Sequence, residues 1–249
     1  MRYSVLTYIF NGYEKVHEVQ VKDPGAEYVL ITDDPTLKSE TWEVVYDHRL
    51  KGMTPFEKCY EVRYHPFRYA KNNIVVRLDG AIEIRESLMP LLQEFERGQY
   101  DRCMMIHPQR NTMPEEYAAW VELRAYPEEQ ANRCLELMKH LGYDMTYKGL
   151  FQACFEIVRD NRCNRLINEI TFDLLRYAAA DGHMERVNQT WLSFVINHLF
   201  DESIKILPVS ERVMYGRPMQ WYRHNSDTPE REKEIVEPWM FNKPCSVAW

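Results

Sequence analysis

No C-x-x-C pair occurs among the six cysteines, Cys59, Cys103, Cys134, Cys154, Cys163 and Cys245, which lie scattered along 249 residues. That scatter argues against a disulfide framework, and several fall in apolar patterns where a free cysteine behaves as a small hydrophobe. Reduced thiols of this kind are expected in a cytoplasmic protein. Basic charge is also in short supply: 31 Lys and Arg face 38 Asp and Glu, a formal charge of −7. A nucleic-acid partner normally demands a basic face, so none is expected, although a local basic groove for a phosphate-bearing small molecule stays open. No run approaches the roughly 18 apolar residues that span a bilayer. The N-terminal apolar run is broken at Asn11-Gly12, which argues against a signal peptide. Membrane contact is therefore expected to be peripheral at most, at the inner membrane. Nucleophile and phosphate motifs are missing too: there is no G-x-S-x-G elbow, no P-loop, and no G-x-G-x-x-G after the first strand. Internal repeats, low-complexity tracts and linkers are likewise lacking. One domain over residues 1–249 is expected, with 215–249 an irregular C-terminal tail.

What is present is an ordinary globular composition, 45% hydrophobic and 28% charged, in a chain long enough to bury a substantial core. The first hundred residues alternate strands with loops and helices. Strands are expected over 3–10, 27–34, 42–47 and 73–84, the last being the most buried, and a helix begins at 55 and meets Pro66. A helix follows over 87–98, with Leu88, Leu91, Leu92 and Phe95 on one face and Gly98 as its stop, then a strand over 100–108. Helices are expected to dominate the remainder, at 114–126, 127–142, 164–182 and 190–200, with a last strand at 202–210. Strands alternating with helices predict a largely parallel α/β sheet.

Ligands of such sheets bind beyond the carboxyl ends of the strands. Polar residues recur there: Asn11-Gly12-Tyr13, Thr32-Asp33-Asp34, Asp79-Gly80 and His107-Pro108. Asp79 stands out. A carboxylate is a hard oxygen ligand suited to Mg²⁺ or Mn²⁺, and glycine behind it would let a bulky anion approach the backbone. The competing reading is a turn between two strand segments, with Asp79 capping its own backbone. Glu83 is left aside as a ligand, because a bulge would move it off the face. Asp33 and Asp34 suit hydrogen bonds from a nucleobase or ribose, or an Asx-type turn into Pro35. Arg110, three residues after His107, suits a phosphate or an ion pair with Glu115 or Glu116. The acidic runs "PEEY" and "PEEQ" read as helix first turns and solvated faces, and His17, His48, His140 and His198 have no supporting neighbours.

Longer blocks carry a family likeness. "YIFNGYEKV" resembles the opening strand and loop of GT-A type glycosyltransferases, "YVLITDDPTLKSETWEVV" their second and third strands, and "VVRLDGAIEI" their Asp-based metal signature. The nearest likeness is to a glycosyltransferase-like family of plant Golgi proteins and bacterial polysaccharide loci. "HPQRNTMPEEYAAW" resembles its His-Pro-x-Arg block, "YKGLFQACFEIVRDN" its Gly-Leu-x-Glu block, and "RVNQTWLSF" its Arg-Asp-Gln-x-Ser-Phe block. In order and spacing these blocks cover most of residues 3–200.

The resemblance implies a GT-A, Rossmann-like nucleotide-diphospho-sugar transferase fold, with a mixed central sheet flanked by helices. It implies transfer of a hexose from a nucleotide-sugar donor, UDP-linked, to a glycan or lipid-linked glycan acceptor in bacterial surface polysaccharide synthesis. Thr7, Tyr8, Phe10, Asp33, Asp34 and Arg63 would hold the nucleotide, with His107 and Arg110 toward the donor sugar. Asp79, helped by His224, would hold Mn²⁺ or Mg²⁺ against the diphosphate. Gly149, Gln152, Asn188 and Gln189 would line the reacting and acceptor side. Two positions depart from the family pattern: its Glu after Gly-Leu is Gln152, and its Asp in the later block is Asn188. Amides hydrogen-bond a sugar hydroxyl but cannot act as bases. The alternatives are thus a non-catalytic sugar- or nucleotide-binding relic of the same fold, and a metal-dependent hydrolase.

Overall fold

A computed structural model describes residues 1–179, 185–215 and 217–222. Its centre is a seven-stranded sheet in the spatial order β3-β2-β1-β4-β7-β6-β8. The strands are β1 (Ser4–Ile9), β2 (Glu27–Thr32), β3 (Glu43–Tyr46), β4 (Ile74–Leu78), β6 (Arg102–Ile106), β7 (Phe151–Arg159) and β8 (Ile206–Val209). The run β3-β2-β1-β4 is parallel, β7 is antiparallel to both its neighbours, and β8 is parallel to β6. Only β7 points the other way. The sheet is therefore largely parallel, as the alternation predicts, and mixed through β7 alone, which lies in a region where the sequence pattern suggested helices.

Why β7 reads poorly as a strand follows from its position. It runs between β4 and β6 with both faces covered, so it shows no polar–apolar alternation. Its register against β6 also slips between Met104 and Met105, where a bulge lengthens the β7 side.

The expected strand over 73–84 is two strands. β4 ends at Leu78, the chain turns through Asp79-Gly80, and β5 (Ile82–Ile84) leaves the main sheet. It pairs antiparallel with β9 (Met219–Trp221), so part of the stretch expected to be an irregular tail is a strand. Glu83 on β5 is held by Gln20, Arg85 and Tyr222, away from the main sheet's rim.

Helices cover both faces: α1 (Pro55–Tyr64), α2 (Met89–Arg97), α3 (Met113–Glu122), α4 (Glu128–His140), α5 (Arg162–Ala178) and α6 (Asn188–Phe194), the last running on into a π-helical turn at Val195–Leu199. Both α1 and α3 open on full capping boxes, Thr54 with Glu57 and Thr112 with Glu115, each with proline inside the first turn. Leu91, Leu92 and Phe95 of α2, with Leu88 ahead of it, pack under one face of the sheet against Val5, Val76, Leu78 and Phe155. Burial of each such side chain is worth about 2 kcal/mol. The other face carries α1 over β1 and β4, with Val62 against Leu6, Tyr8 and Val75, and then α5 and α6 over β7 and β6. Alternation along β1 and β4 therefore decides which residues meet α1: Tyr8, Arg77 and, past the strand end, Asp79.

Candidate functional site

The chain goes from β1 outward to β2 and β3, then returns to place β4 on the opposite side of β1. That reversal is a topological switch point, the place where open α/β sheets leave a crevice beyond their strand ends. The carboxyl ends of β1, β2, β4 and β6 and the start of the reversed β7 share this rim, and α1 lies across it.

Asp79 sits at the centre. Its Oδ1 accepts the Tyr8 hydroxyl at 2.9 Å and Arg63 Nη2 at 2.5 Å, with Arg77 Nη1 at 3.5 Å. Arg63 Nη2 also donates to the Tyr8 oxygen at 2.8 Å, and its Nη1 donates to Asn188 Oδ1 at 2.8 Å. Burial raises the Tyr8 phenol well above its ordinary value despite Arg63 beside it, so it stays protonated and donates. No group among the described residues bonds Asp79 Oδ2, and the Asp79 side chain is 31% exposed where that of Arg63 is 5%. The backbone N–H of Asp79 donates to Cys154 O at 2.9 Å, so the side chain does not cap its own turn.

Gly80 has a structural reason of its own. A Cβ there would stand 2.8 Å from the Tyr8 carbonyl oxygen and 3.2 Å from Ile9 Cγ1. The glycine lets the turn close on β1, and the open approach for an anion expected from the sequence is filled by the protein's own backbone.

Beneath Asp79 the charges form a ladder through the sheet. Arg77 Nε donates to Glu156 Oε1 at 2.6 Å and its Nη2 to the Ala153 carbonyl at 2.6 Å; Arg102 Nη1 lies 3.4 Å from Glu156 Oε2. Asn164 and Asn168 of α5 accept the remaining Arg102 donors at 3.1 and 2.5 Å. All three charged groups are buried. Burial lowers the Arg102 pKa, and the more distant Glu156 only partly offsets it. For Arg77 the same burial is overcome, chiefly by the close Glu156, and the value is raised. Burial would raise the Glu156 carboxyl, but Arg77 and Arg102 outweigh it and hold it low. Three guanidiniums thus share two carboxylates, so one positive charge is unmatched within the ladder.

Toward β1 and β2 the rim is neutral by pairing. Lys58 Nζ bonds Asp33 Oδ2 at 2.6 Å and Asn11 Oδ1 at 3.1 Å, and the Asn11 N–H donates to Asp33 Oδ1 at 2.9 Å. Asn11 and Gly12 both adopt positive φ, at 54° and 61°, and the tight turn leaves Tyr13 exposed. Asp34 makes the Asx turn, taking the Thr36 N–H and hydroxyl at 2.8 and 2.6 Å. Thr7 and Phe10, expected to touch a nucleotide, are buried below the rim, Phe10 stacked on Tyr8.

Toward β6 lies a second cluster, built on His107, Arg110, Glu116 and Gln189. Glu116, expected on a solvated face, is fully buried. It accepts from Arg110 Nε, from Trp120 Nε1 at 2.6 Å and from Gln189 Nε2 at 2.5 Å. Arg110 therefore takes the ion-pair alternative. His107 Nδ1 accepts the N–H groups of Gln109 and Arg110 at 3.3 and 3.1 Å, and its Nε2 lies 3.0 Å from Arg110 Nη2 and 3.5 Å from Glu116. Burial, with the Arg110 guanidinium adding to it, lowers His107 to about 4. Gln189 Oε1 meets the Ala153 N–H at 3.5 Å, while Gln152 Oε1 is buried with no hydrogen-bond partner among the described residues. His224 lies outside the described residues.

Whether Asp79 suits a divalent ion is a question of donors. No group of three or more His, Cys, Asp or Glu side chains among the described residues is placed to hold a metal. The Asp79 carboxylate is instead flanked by Arg63 and Arg77. Two unit charges 4 Å apart interact by about 4 kcal/mol at the effective dielectric of a partly buried site, and a dication beside one guanidinium would meet roughly twice that repulsion. The residues described here do not fit Mn²⁺ or Mg²⁺ at Asp79.

Compared with protein-family models and with curated proteins, the chain matches none. No helix among the described residues is long and apolar enough to cross a membrane. What stands is a mixed α/β, Rossmann-like sheet with a cluster of polar and charged side chains at its switch point.

Proposed function

We propose that this protein is a GT-A-like glycosyltransferase that takes a nucleotide-sugar, UDP-linked, and transfers its hexose to a glycan or lipid-linked glycan acceptor. The observation that carries this reading is the convergence of Tyr8, Arg63, Asp79 and Asn188 at the switch point, drawn from β1, α1, the end of β4 and the start of α6. Four separate chain segments meet there in one hydrogen-bonded constellation, in the position where a sheet of this kind binds nucleotides.

In this reading the paired Asp33, Asn11 and Lys58 border the nucleoside, and the cationic Arg63 end of the ladder faces the diphosphate. A leaving nucleoside diphosphate develops negative charge as the sugar departs, and fixed cations in a shielded site stabilise that charge more than water does. Gln152, with its unpartnered carbonyl oxygen, and the Asn188-Gln189 pair lie toward the sugar and acceptor, where amides orient hydroxyls.

The relic reading keeps the same fold and ligand but no turnover. Its support is specific: Asn188 and Gln152 are amides, and Glu116 is engaged by Arg110, Trp120 and Gln189. The test is a thermal-shift panel of nucleotides and nucleotide-sugars, followed by donor hydrolysis and transfer assays on the binders. Stabilisation by UDP and UDP-hexoses is expected. If no nucleotide raises the melting temperature, the transferase reading fails; binding without any hydrolysis or transfer selects the relic.

A further inference from the structure

The carboxylate expected to hold a metal is electrostatically committed elsewhere. Asp79 Oδ1 is taken by Arg63 at 2.5 Å and Tyr8 at 2.9 Å, with Arg77 at 3.5 Å, and only Oδ2 opens to the crevice. The ladder behind it, Arg102–Glu156–Arg77–Asp79–Arg63, carries three positive charges and two negative ones. An oxygen in that setting is a good acceptor for a neutral hydroxyl, because the hydroxyl brings no charge to the guanidiniums. It is a poor ligand for a dication, which would be repelled by the same two arginines and finds no group of three or more ligand side chains among the described residues. The unmatched positive charge, in turn, is complementary to an anion and not to a cation. A buried excess of one guanidinium costs free energy that a bound phosphate would recover.

We infer that Asp79 is a hydroxyl acceptor and not a metal ligand, so that this crevice binds a nucleoside diphosphate through protein cations without a divalent ion. The nucleotide part rests on the proposed function; the statement about Asp79 and metal does not. Oδ2 receives a ribose or sugar hydroxyl, and Tyr8 and Arg63 fix the carboxylate's orientation from behind. Arg63, fixed beneath the rim by Tyr8, Asp79 and Asn188, supplies positive charge toward the phosphates as a field.

The experiment uses the full chain in two arms. In the first, UDP and UDP-glucose are titrated calorimetrically in EDTA and again in 1 mM MnCl₂, a metal concentration on the order usual for such assays. The expected result is binding in EDTA, with a Kd that Mn²⁺ changes less than about threefold. Binding that appears only with Mn²⁺, or tightens more than about tenfold, overturns the inference while leaving the transferase reading intact. In the second arm, free Mn²⁺ is followed by its electron paramagnetic resonance signal as protein is added, alone and with inorganic pyrophosphate, each read against the same solution without protein. An undiminished signal supports the inference even when no nucleotide binds in the first arm, an outcome that removes the transferase reading alone. A loss of signal that Asp79→Asn abolishes overturns it. The wild-type measurements need no variant, so a misfolded Asp79→Asn protein does not blunt the test.

Discussion

Replacing Glu156 with glutamine keeps its shape and removes its charge, and the structure sets the size of the consequence. Arg77 Nε, at 2.6 Å, exchanges a charge-assisted bond for a neutral one, a loss of about 1–2 kcal/mol. Arg102 Nη1, at 3.4 Å, loses its carboxylate and can meet the new amide's NH₂, donor against donor, which costs about as much again. A total near 3 kcal/mol is a large fraction of a stability that is usually about 5–15 kcal/mol. For a chain of this length it corresponds to a melting point lower by about 10 °C. Equilibrium urea unfolding followed by tryptophan fluorescence measures it. The sign with pH is fixed as well. Arg77 and Arg102 hold the Glu156 carboxyl below its ordinary 4.5, so its contribution is full above that pH and is lost as pH falls through the lower folded value. The wild type should lose stability on acidification in that window, and Glu156→Gln should lose less. A cost under about 1 kcal/mol would refute the ladder as a stabilising network.

Two further outcomes follow from single distances and burial. Gly80→Ala puts a methyl 2.8 Å from the Tyr8 carbonyl and should destabilise by about 1–3 kcal/mol in the same urea assay, whereas a neutral result would show that the turn is not packed on β1. His107, lowered from 6.5 to about 4, is neutral in the fold and protonated when unfolded between those values. Wild-type stability should therefore decline from pH 6.5 down to about 4 with a linkage of about one proton that His107→Gln lacks, measured as the slope of unfolding free energy against pH; equal slopes would contradict a buried neutral ring.

Much of the frame was legible from residues. β1, β2, β3, the helix broken at Pro66, α2 with its Leu-Leu-Phe face, β6 and β8 all carry clean local signals. What escaped was whatever depends on partners distant in sequence. The run 73–84 looks like one strand because Ala81, Ile82 and Ile84 are apolar, yet β5 finds its partner in β9, about 135 residues later, where local pattern has nothing to say. The burial of β7 on both faces and its bulge erase the alternation that would reveal it. The site was half legible in the same sense. Asp79 could be singled out by position, and Arg63 was named through family likeness. That Arg63 would join Arg77 at Asp79 depends on a contact 16 residues away on α1. Glu116 and Glu156 are acidic residues whose burial is invisible in a single sequence, since carboxylates are usually exposed in proteins.

The two amides that open α6 make sense together once their partners are known. Asn188 and Gln189 begin α6 between two clusters of opposite need. Asn188 turns its carbonyl oxygen to the Arg63 guanidinium, while Gln189 turns its NH₂ to the Glu116 carboxylate. A carboxylate at 189 would meet Glu116 as a like charge, so an amide there is required by the pairing. At 188 an aspartate is compatible, and it would cancel the one unmatched positive charge of the ladder. Asparagine keeps the hydrogen bond and leaves that charge uncancelled. The position that looked like a lost catalytic acid is therefore also the position that sets the crevice's net charge. In the proposed reading, asparagine there suits an anionic ligand held by arginine better than a cation held by aspartate.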